Sequence, residues 1–283
     1  MRRRTRLVSP RVEALMQVDE WPPEHAAVAV VGPDGVRAWR GDESREYRWA
    51  SITKLVTALA VLVAAEEGVV DLDEAAGPPG ATVRHLLAHA SGLPFDGTVP
   101  IAQPGERRIY SNTGFELLAQ HLAARAEMAF EEYLTEAVLA PLEFSGELRG
   151  SAASGLYGTL LDLTDLAREL LAPTLVSAET LDEATTVNFP GLDGVLPDFG
   201  RMSPNDWGLG FELRDAKTPH WTGGSNSPRT FGHFGGSGTF LWVDPDARLA
   251  LGFLGDLDFD QWKDEAKEVW PALSDAVLAE AAR

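Results

Sequence analysis

The sequence contains no cysteine. A disulfide framework, a thiolate zinc site and a cysteine nucleophile are therefore excluded, and a reducing compartment fits. Basic residues are scarce: 24 lysines and arginines stand against 43 acidic residues, a net charge of −19. A nucleic-acid-binding face needs clustered Lys and Arg, so this balance argues against one. The one basic cluster, Arg2, Arg3, Arg4 and Arg6, sits at the extreme N-terminus and reads as a solvated tail. No apolar stretch follows it, because Leu7-Val8 runs into Ser9-Pro10-Arg11. No secretory signal is read there, and a cytoplasmic protein is expected. Long apolar runs are missing too. The longest, about 11 residues in 55–65, is too short to span a bilayer and fits a buried helix.

What is present reads as a globular chain. Hydrophobic residues make up 45% of the 283, enough for one large domain or two interlocked ones. Residues 26–31 and 36–39 flank the turn Gly32-Pro33-Asp34-Gly35 and predict a hairpin. Residues 54–67 predict a helix that is apolar almost all round and stops at Gly68. Further helices are expected at 83–90, 114–127, 130–139 and 160–171, punctuated by Pro141 and Pro173. Past residue 205 the pattern turns to strands, at 207–213, 230–234, 238–243 and 249–255, before a closing helix at 264–283. The fold class expected is α+β. One antiparallel sheet is built from both chain ends (1–55 and 205–283) and covered by terminal helices, with a helical insertion between them (56–204).

Lysine occurs only four times, at 54, 217, 263 and 267, and one of them follows Ser51 at i+3. On a helix these positions share a face, so the hydroxyl and the amine can meet. A serine hydroxyl is a poor nucleophile until its proton is taken, and a partly desolvated lysine can take it. Tyr110-Ser111-Asn112 is a second candidate. A phenol beside a lysine ammonium is expected to titrate below its free value and could shuttle the Ser51 proton. Asn112 offers an oxygen to Lys54 and an amide to a substrate carbonyl; its structural role would be to cap the next helix. The third candidate is the segment from Gly232 through His233, Phe234, Gly235, Gly236 and Ser237 to Gly238. Glycines in a strand mark close approach of a backbone or ligand, and an exposed strand-end N–H could complete an oxyanion hole with the N–H of Ser51. His85 and His89 have a metal-ligand spacing, but no third ligand follows in pattern, so core or capping roles and no metal or cofactor are expected. Trp207, Trp221 and Trp242 read as core.

Taken together, Ser51-Ile52-Thr53-Lys54, Tyr110-Ser111-Asn112 and His233-Phe234-Gly235 resemble, in order and spacing, the S-x-x-K, S-D-N and K-T-G motifs of the serine β-lactamase and penicillin-binding superfamily. The tyrosine version is similar to the branch of class C β-lactamases, D-alanyl-D-alanine carboxypeptidases and esterases. The resemblance implies that the insertion is all helical, with the site in the cleft between it and the sheet. It implies Ser51 as acylated nucleophile, Lys54 as the group that lowers its pKa, and Tyr110 as general base in acylation and deacylation. It implies Asn112 as a holder of Lys54 and substrate, and an oxyanion hole from the N–H groups of Ser51 and Gly236. His233 takes the place of the family's strand lysine. Phe234 replaces a Thr or Ser that helps bind a substrate carboxylate, with Ser237 as the nearest substitute. An esterase or small-amide hydrolase working on a small molecule is therefore expected. The alternatives are a β-lactamase or D-alanyl-D-alanine carboxypeptidase, and a catalytically silent relative that binds an acyl ligand or a partner.

Overall fold

The computed structural model describes residues 12–282, so Arg2, Arg3, Arg4, Arg6 and the final Arg283 lie outside the described residues. A 3-10 helix, Glu13–Glu20, is followed by β1 (Ala26–Gly32), β2 (Gly35–Arg40) and β3 (Tyr47–Arg48). Next come α1 (Thr53–Glu66), α2 (Val83–Leu87), α3 (Asn112–Ala126) and α4 (Phe130–Leu134), the last continued by a π-helical turn, Thr135–Leu139. Two short strands, β4 (Glu147–Leu148) and β5 (Leu156–Gly158), precede α5 (Leu160–Leu171) and α6 (Ala178–Ala184). The remainder is β6 (Gly194–Leu196), β7 (Gly200–Met202), β8 (Glu212–Leu213), β9 (Phe231–Gly235), β10 (Thr239–Asp244), β11 (Leu249–Gly255) and α7 (Lys263–Ala281).

Six strands form the central antiparallel sheet in the order β2-β1-β11-β10-β9-β8. The two chain ends join at β1 and β11, where Ala26 pairs with Gly255 and Val31 with Ala250. β1 is an unbroken apolar run because both of its faces are covered. Ala27, Ala29 and Val31 enter one core, shared with α1 and α5. Val28 and Val30 enter the other, with Trp270, Leu273 and Val277 of α7. α1 is apolar on every side because it runs through the first core, and every residue from Thr53 to Ala64 is buried. Among the described residues, no helix is long and apolar enough to cross a membrane.

The structure departs from the sequence expectation in three places. The strand expected at 207–213 shrinks to Glu212–Leu213. Gly210 has φ +87°, and its N–H turns away to the Leu87 carbonyl at the end of α2, so the ladder cannot extend through it. The helix expected at 83–90 stops at Leu87, since His89 takes a left-handed conformation (φ 54°). The segment between 56 and 204 is not all helical either: β5 joins β3 and β4 in a three-stranded sheet, and β6 pairs with β7. Within that segment, α5 packs against β1, β10 and β11.

Candidate active site

Ser51 sits in the 3-10 turn Ala50–Ile52 that leads into α1, one helical turn before Lys54. The residue ahead of it, Ala50, has φ 46°, a left-handed conformation that costs a non-glycine residue about 1–2 kcal/mol. Strain of this kind persists only where the surroundings impose it. Here β9 packs on the turn, and a Cβ at Gly235 would lie 2.5 Å from the Trp49 carbonyl oxygen. Gly235 is thus a glycine because the backbone of the turn that carries Ser51 passes against it.

Lys54 is fully buried, and its amine has three neighbours. Nζ donates to Asn112 Oδ1 at 2.7 Å and to the Ala153 carbonyl at 2.9 Å, and it lies 3.3 Å from Ser51 Oγ. Burial pulls its pKa down to about 7, opposed by the negative charges of Glu116 and Asp96. A neutral amine has two N–H groups and one lone pair. The two carbonyl-type oxygens can take only the N–H groups, so in the neutral state the lone pair is left for the Ser51 hydroxyl.

Tyr110 is the second group at Ser51. Its hydroxyl donates to Ser51 Oγ at 2.9 Å and lies 3.4 Å from His233 Nε2. The expectation that Lys54 would depress the phenol is overturned. Nζ does sit 4.8 Å from the ring centroid, but burial dominates and pushes the Tyr110 pKa up. Tyr110 therefore starts as a proton donor. His233, on β9, points Nδ1 at the Phe234 carbonyl 2.6 Å away. That oxygen can only accept, so Nδ1 carries the hydrogen and Nε2 faces Tyr110 as an acceptor. Burial, aided by the Lys54 charge, pulls the His233 pKa down to about 3. The histidine occupies the place of a strand lysine without its charge.

Asn112 is the first residue of α3, and the cap is Ser111, whose Oγ accepts from the Gly114 N–H at 3.0 Å. That division of labour frees the Asn112 side chain for Lys54. His89 braces the same segment: its Nδ1 accepts the Ser111 N–H at 3.2 Å, and its ring lies 4.6 Å from that of Tyr110. His85 Nδ1 instead faces Thr82 Oγ1 at 2.9 Å. Gly236 lines a cavity of about 140 Å³ together with Ser51, Tyr110 and His233. Ser237 does not: its hydroxyl donates to the Arg48 carbonyl at 2.7 Å and is no substitute for the missing motif hydroxyl. Phe234 lines the cavity but mainly packs in the second core, against Phe199, Trp221, Phe259 and Trp270.

One group at the cavity escaped sequence reasoning. Glu212 lines it, and its carboxylate takes the Lys217 ammonium, the Trp221 Nε1–H at 2.9 Å and His220 Nε2 at 2.9 Å, with all four side chains buried. Burial alone would raise its pKa, but His220 and Lys217 outweigh burial and hold it near 2. The only signal in the sequence was the rarity of lysine, and it pointed equally to three other positions.

A β-lactamase family model matches residues 25–270. A crystal structure of a β-lactamase from Mycobacterium bovis is 54% identical, with a TM-score of 0.93 over 95% of this chain and 100% of that one. Penicillin-binding protein 4* of Bacillus subtilis is 27% identical over 128 residues, 34% of this chain and 28% of that protein, so the match spans under a third of that relative. The fold is shared with EstCE1, a hydrolase with promiscuous acyltransferase activity, at 16% identity and a TM-score of 0.75 over 94% of this chain and 97% of that one. The chain belongs to the β-lactamase family and is a serine hydrolase of the β-lactamase and penicillin-binding superfamily.

Proposed function

We propose that the protein hydrolyses uncharged esters or small amides through an acyl-Ser51 intermediate. The carrying observation is Ser51 held between a buried amine titrating near neutrality and a protonated phenol, in a cavity whose lining includes neither lysine nor arginine. Neutral Lys54 takes the Ser51 proton as Oγ attacks the carbonyl carbon. The developing oxyanion is met by the N–H groups of Ser51 and Gly236. Tyr110 gives its proton to the leaving oxygen, and the phenolate left behind is balanced by the Lys54 ammonium. In the second half, Tyr110 takes a proton from water, hydroxide attacks the acyl carbon, and Ser51 leaves with the proton stored on Lys54. Every proton is returned, and the sum is ester plus water giving acid plus alcohol.

The substrate class follows from what the cavity lacks. A carboxylate needs charged or hydroxyl donors. His233 is neutral, Phe234 has no donor and Ser237 is engaged elsewhere, while the two carboxylates in the lining, Glu212 and Asp198, already hold the Lys217 and Lys263 ammonium groups. A second reading, β-lactam hydrolysis, is favoured by the 54% identity to the Mycobacterium bovis β-lactamase. Intact-mass measurement after incubation with a fluorophosphonate and, separately, with a penicillin decides between them. A phosphonyl adduct lost in Ser51→Ala, with no lasting or turned-over penicillin, supports the esterase. Penicillin acylation or turnover moves the assignment to the second reading. No adduct from either reagent would mark a silent ligand-binding relative.

A further inference from the structure

We infer that the catalytic cavity continues into an apolar groove that receives a long aliphatic or aromatic arm of the substrate; this rests on the ester-hydrolase reading above. Beside the inner cavity lies a second, of about 380 Å³, and the two share Phe95, Tyr110 and Pro197 as common walls. Ile101, Ile109 and Val195 complete its apolar lining. Large apolar side chains are exposed at only five described positions: Met16, Phe95, Val99, Ile101 and Val195. Three of these line the groove, and Val99 belongs to the same loop as Phe95 and Ile101. A concentration of exposed apolar surface at one rim marks a binding groove rather than chance scatter.

The arginines there do not turn the groove into an anion site. Arg108 spends its guanidinium on four backbone carbonyls, those of Ala88, Asn188, Phe189 and Asn205, and offers the groove only its alkyl stem. Arg107 donates to the Ile101 carbonyl at 3.0 Å and so pins the loop that forms the wall. With the net charge at −19, an anionic lipid surface is a poor match for this face. An apolar substrate arm reaching out of the inner cavity fits it.

The test measures kcat/KM for p-nitrophenyl esters from acetate to decanoate and for alkyl butyrates from methyl to octyl below the concentration at which each ester aggregates, and repeats the longest esters above it. One of the two series should rise about two- to fourfold per added methylene until the groove is full, the worth of partly to fully burying a CH₂. Ile101→Asp and Val195→Asp should each lower the long-to-short ratio by about tenfold or more, whereas Met16→Asp, at an exposed apolar residue away from the cleft, should leave it unchanged. Taking the ratio within each variant cancels any loss of folded protein. Flat series in both directions, with turnover still dependent on Ser51, would overturn the groove and leave the hydrolase reading standing. A preference for long chains that appears only once the ester aggregates would also overturn it, pointing to an interfacial surface. Absence of turnover at every length, acetate included, would remove the ester-hydrolase reading and the groove with it.

Discussion

The buried amine makes a prediction about pH that discriminates among the site's three titratable groups. The proposed acylation requires Lys54 without its extra proton, and its pKa is about 7. The neutral fraction is then about one-tenth at pH 6 and about nine-tenths at pH 8, so kcat/KM should rise roughly tenfold between them and level off above, since kcat/KM reports ionisations of the free enzyme. Neither partner can produce that limb. Burial holds His233 near 3, far below the window, and pushes Tyr110 up, above it. Glu116 supplies the confirming perturbation. Its negative charge is the larger of the two that hold Lys54 up, and its Oε1 accepts the Ala153 N–H at 3.3 Å and the Ser151 hydroxyl. Glu116→Gln keeps an acceptor oxygen and removes the charge, so the Lys54 pKa falls and the limb moves to lower pH. The assay is initial-rate hydrolysis of a neutral p-nitrophenyl ester from pH 5.5 to 9, corrected for spontaneous hydrolysis. A flat profile, a rate that falls as pH rises through 7, or a limb that moves to higher pH in Glu116→Gln would refute Lys54 as the base.

Three further outcomes follow from the same geometry. Tyr110→Phe keeps the ring and removes the proton given to the leaving group, so turnover should fall by about 10²–10⁴ while a fluorophosphonate, whose leaving group needs no proton, still labels Ser51. Replacing Lys54 by Met exposes a linkage. The amine titrates near 10.5 unfolded and about 7 folded, so between these values the unfolded wild type binds more protons. Wild-type stability relative to Lys54→Met should therefore rise from pH 7 to pH 9 by up to about 1.4 kcal/mol per unit in urea unfolding, and a constant difference would contradict a depressed pKa. Glu212→Gln keeps an acceptor oxygen but removes the only charge paired with the buried Lys217 ammonium, whose other partners are the Asp206 and Leu213 carbonyls, and should cost about 3–5 kcal/mol in urea unfolding; a loss under about 1 kcal/mol would show that the cluster is not an ion pair.

How much of this was legible in the sequence depends on the range over which each feature is determined. The Ser51–Lys54 relation is local: two residues three positions apart share one helix face whatever surrounds them. The hairpin at β1 and β2 and the closing helix are local in the same sense. The middle of the central sheet could be read because β1, β10 and β11 carry apolar runs, which the cores on both faces demand. The strand expected at 207–213 failed for a tertiary reason. Its glycines serve a turn whose N–H groups go to Leu87 and Phe211, and no spacing in the sequence announces that partner. Ser237 failed likewise, since the direction of a hydroxyl is chosen by whichever carbonyl comes near, here that of Arg48.

The same distinction governs the chemistry. Which residues meet at Ser51 was readable from motif order, but the proton inventory was not, because it is set by burial. A lysine beside a tyrosine in water would depress the phenol. The same pair inside a dry core reverses the outcome: both groups pay for charge, the amine drops to about 7, and the phenol keeps its proton. In the proposed mechanism the reversal moves the first base from Tyr110 to Lys54 and makes the tyrosine a donor first and an acceptor second. Dryness also decides His233, which could have replaced a lysine's charge in a wetter cleft and here supplies only a lone pair. An active site whose strand histidine is neutral, whose third motif ends in a core phenylalanine and whose rim is apolar has little with which to hold an anion. On the proposed function, its selectivity comes from the shape and length of a neutral substrate.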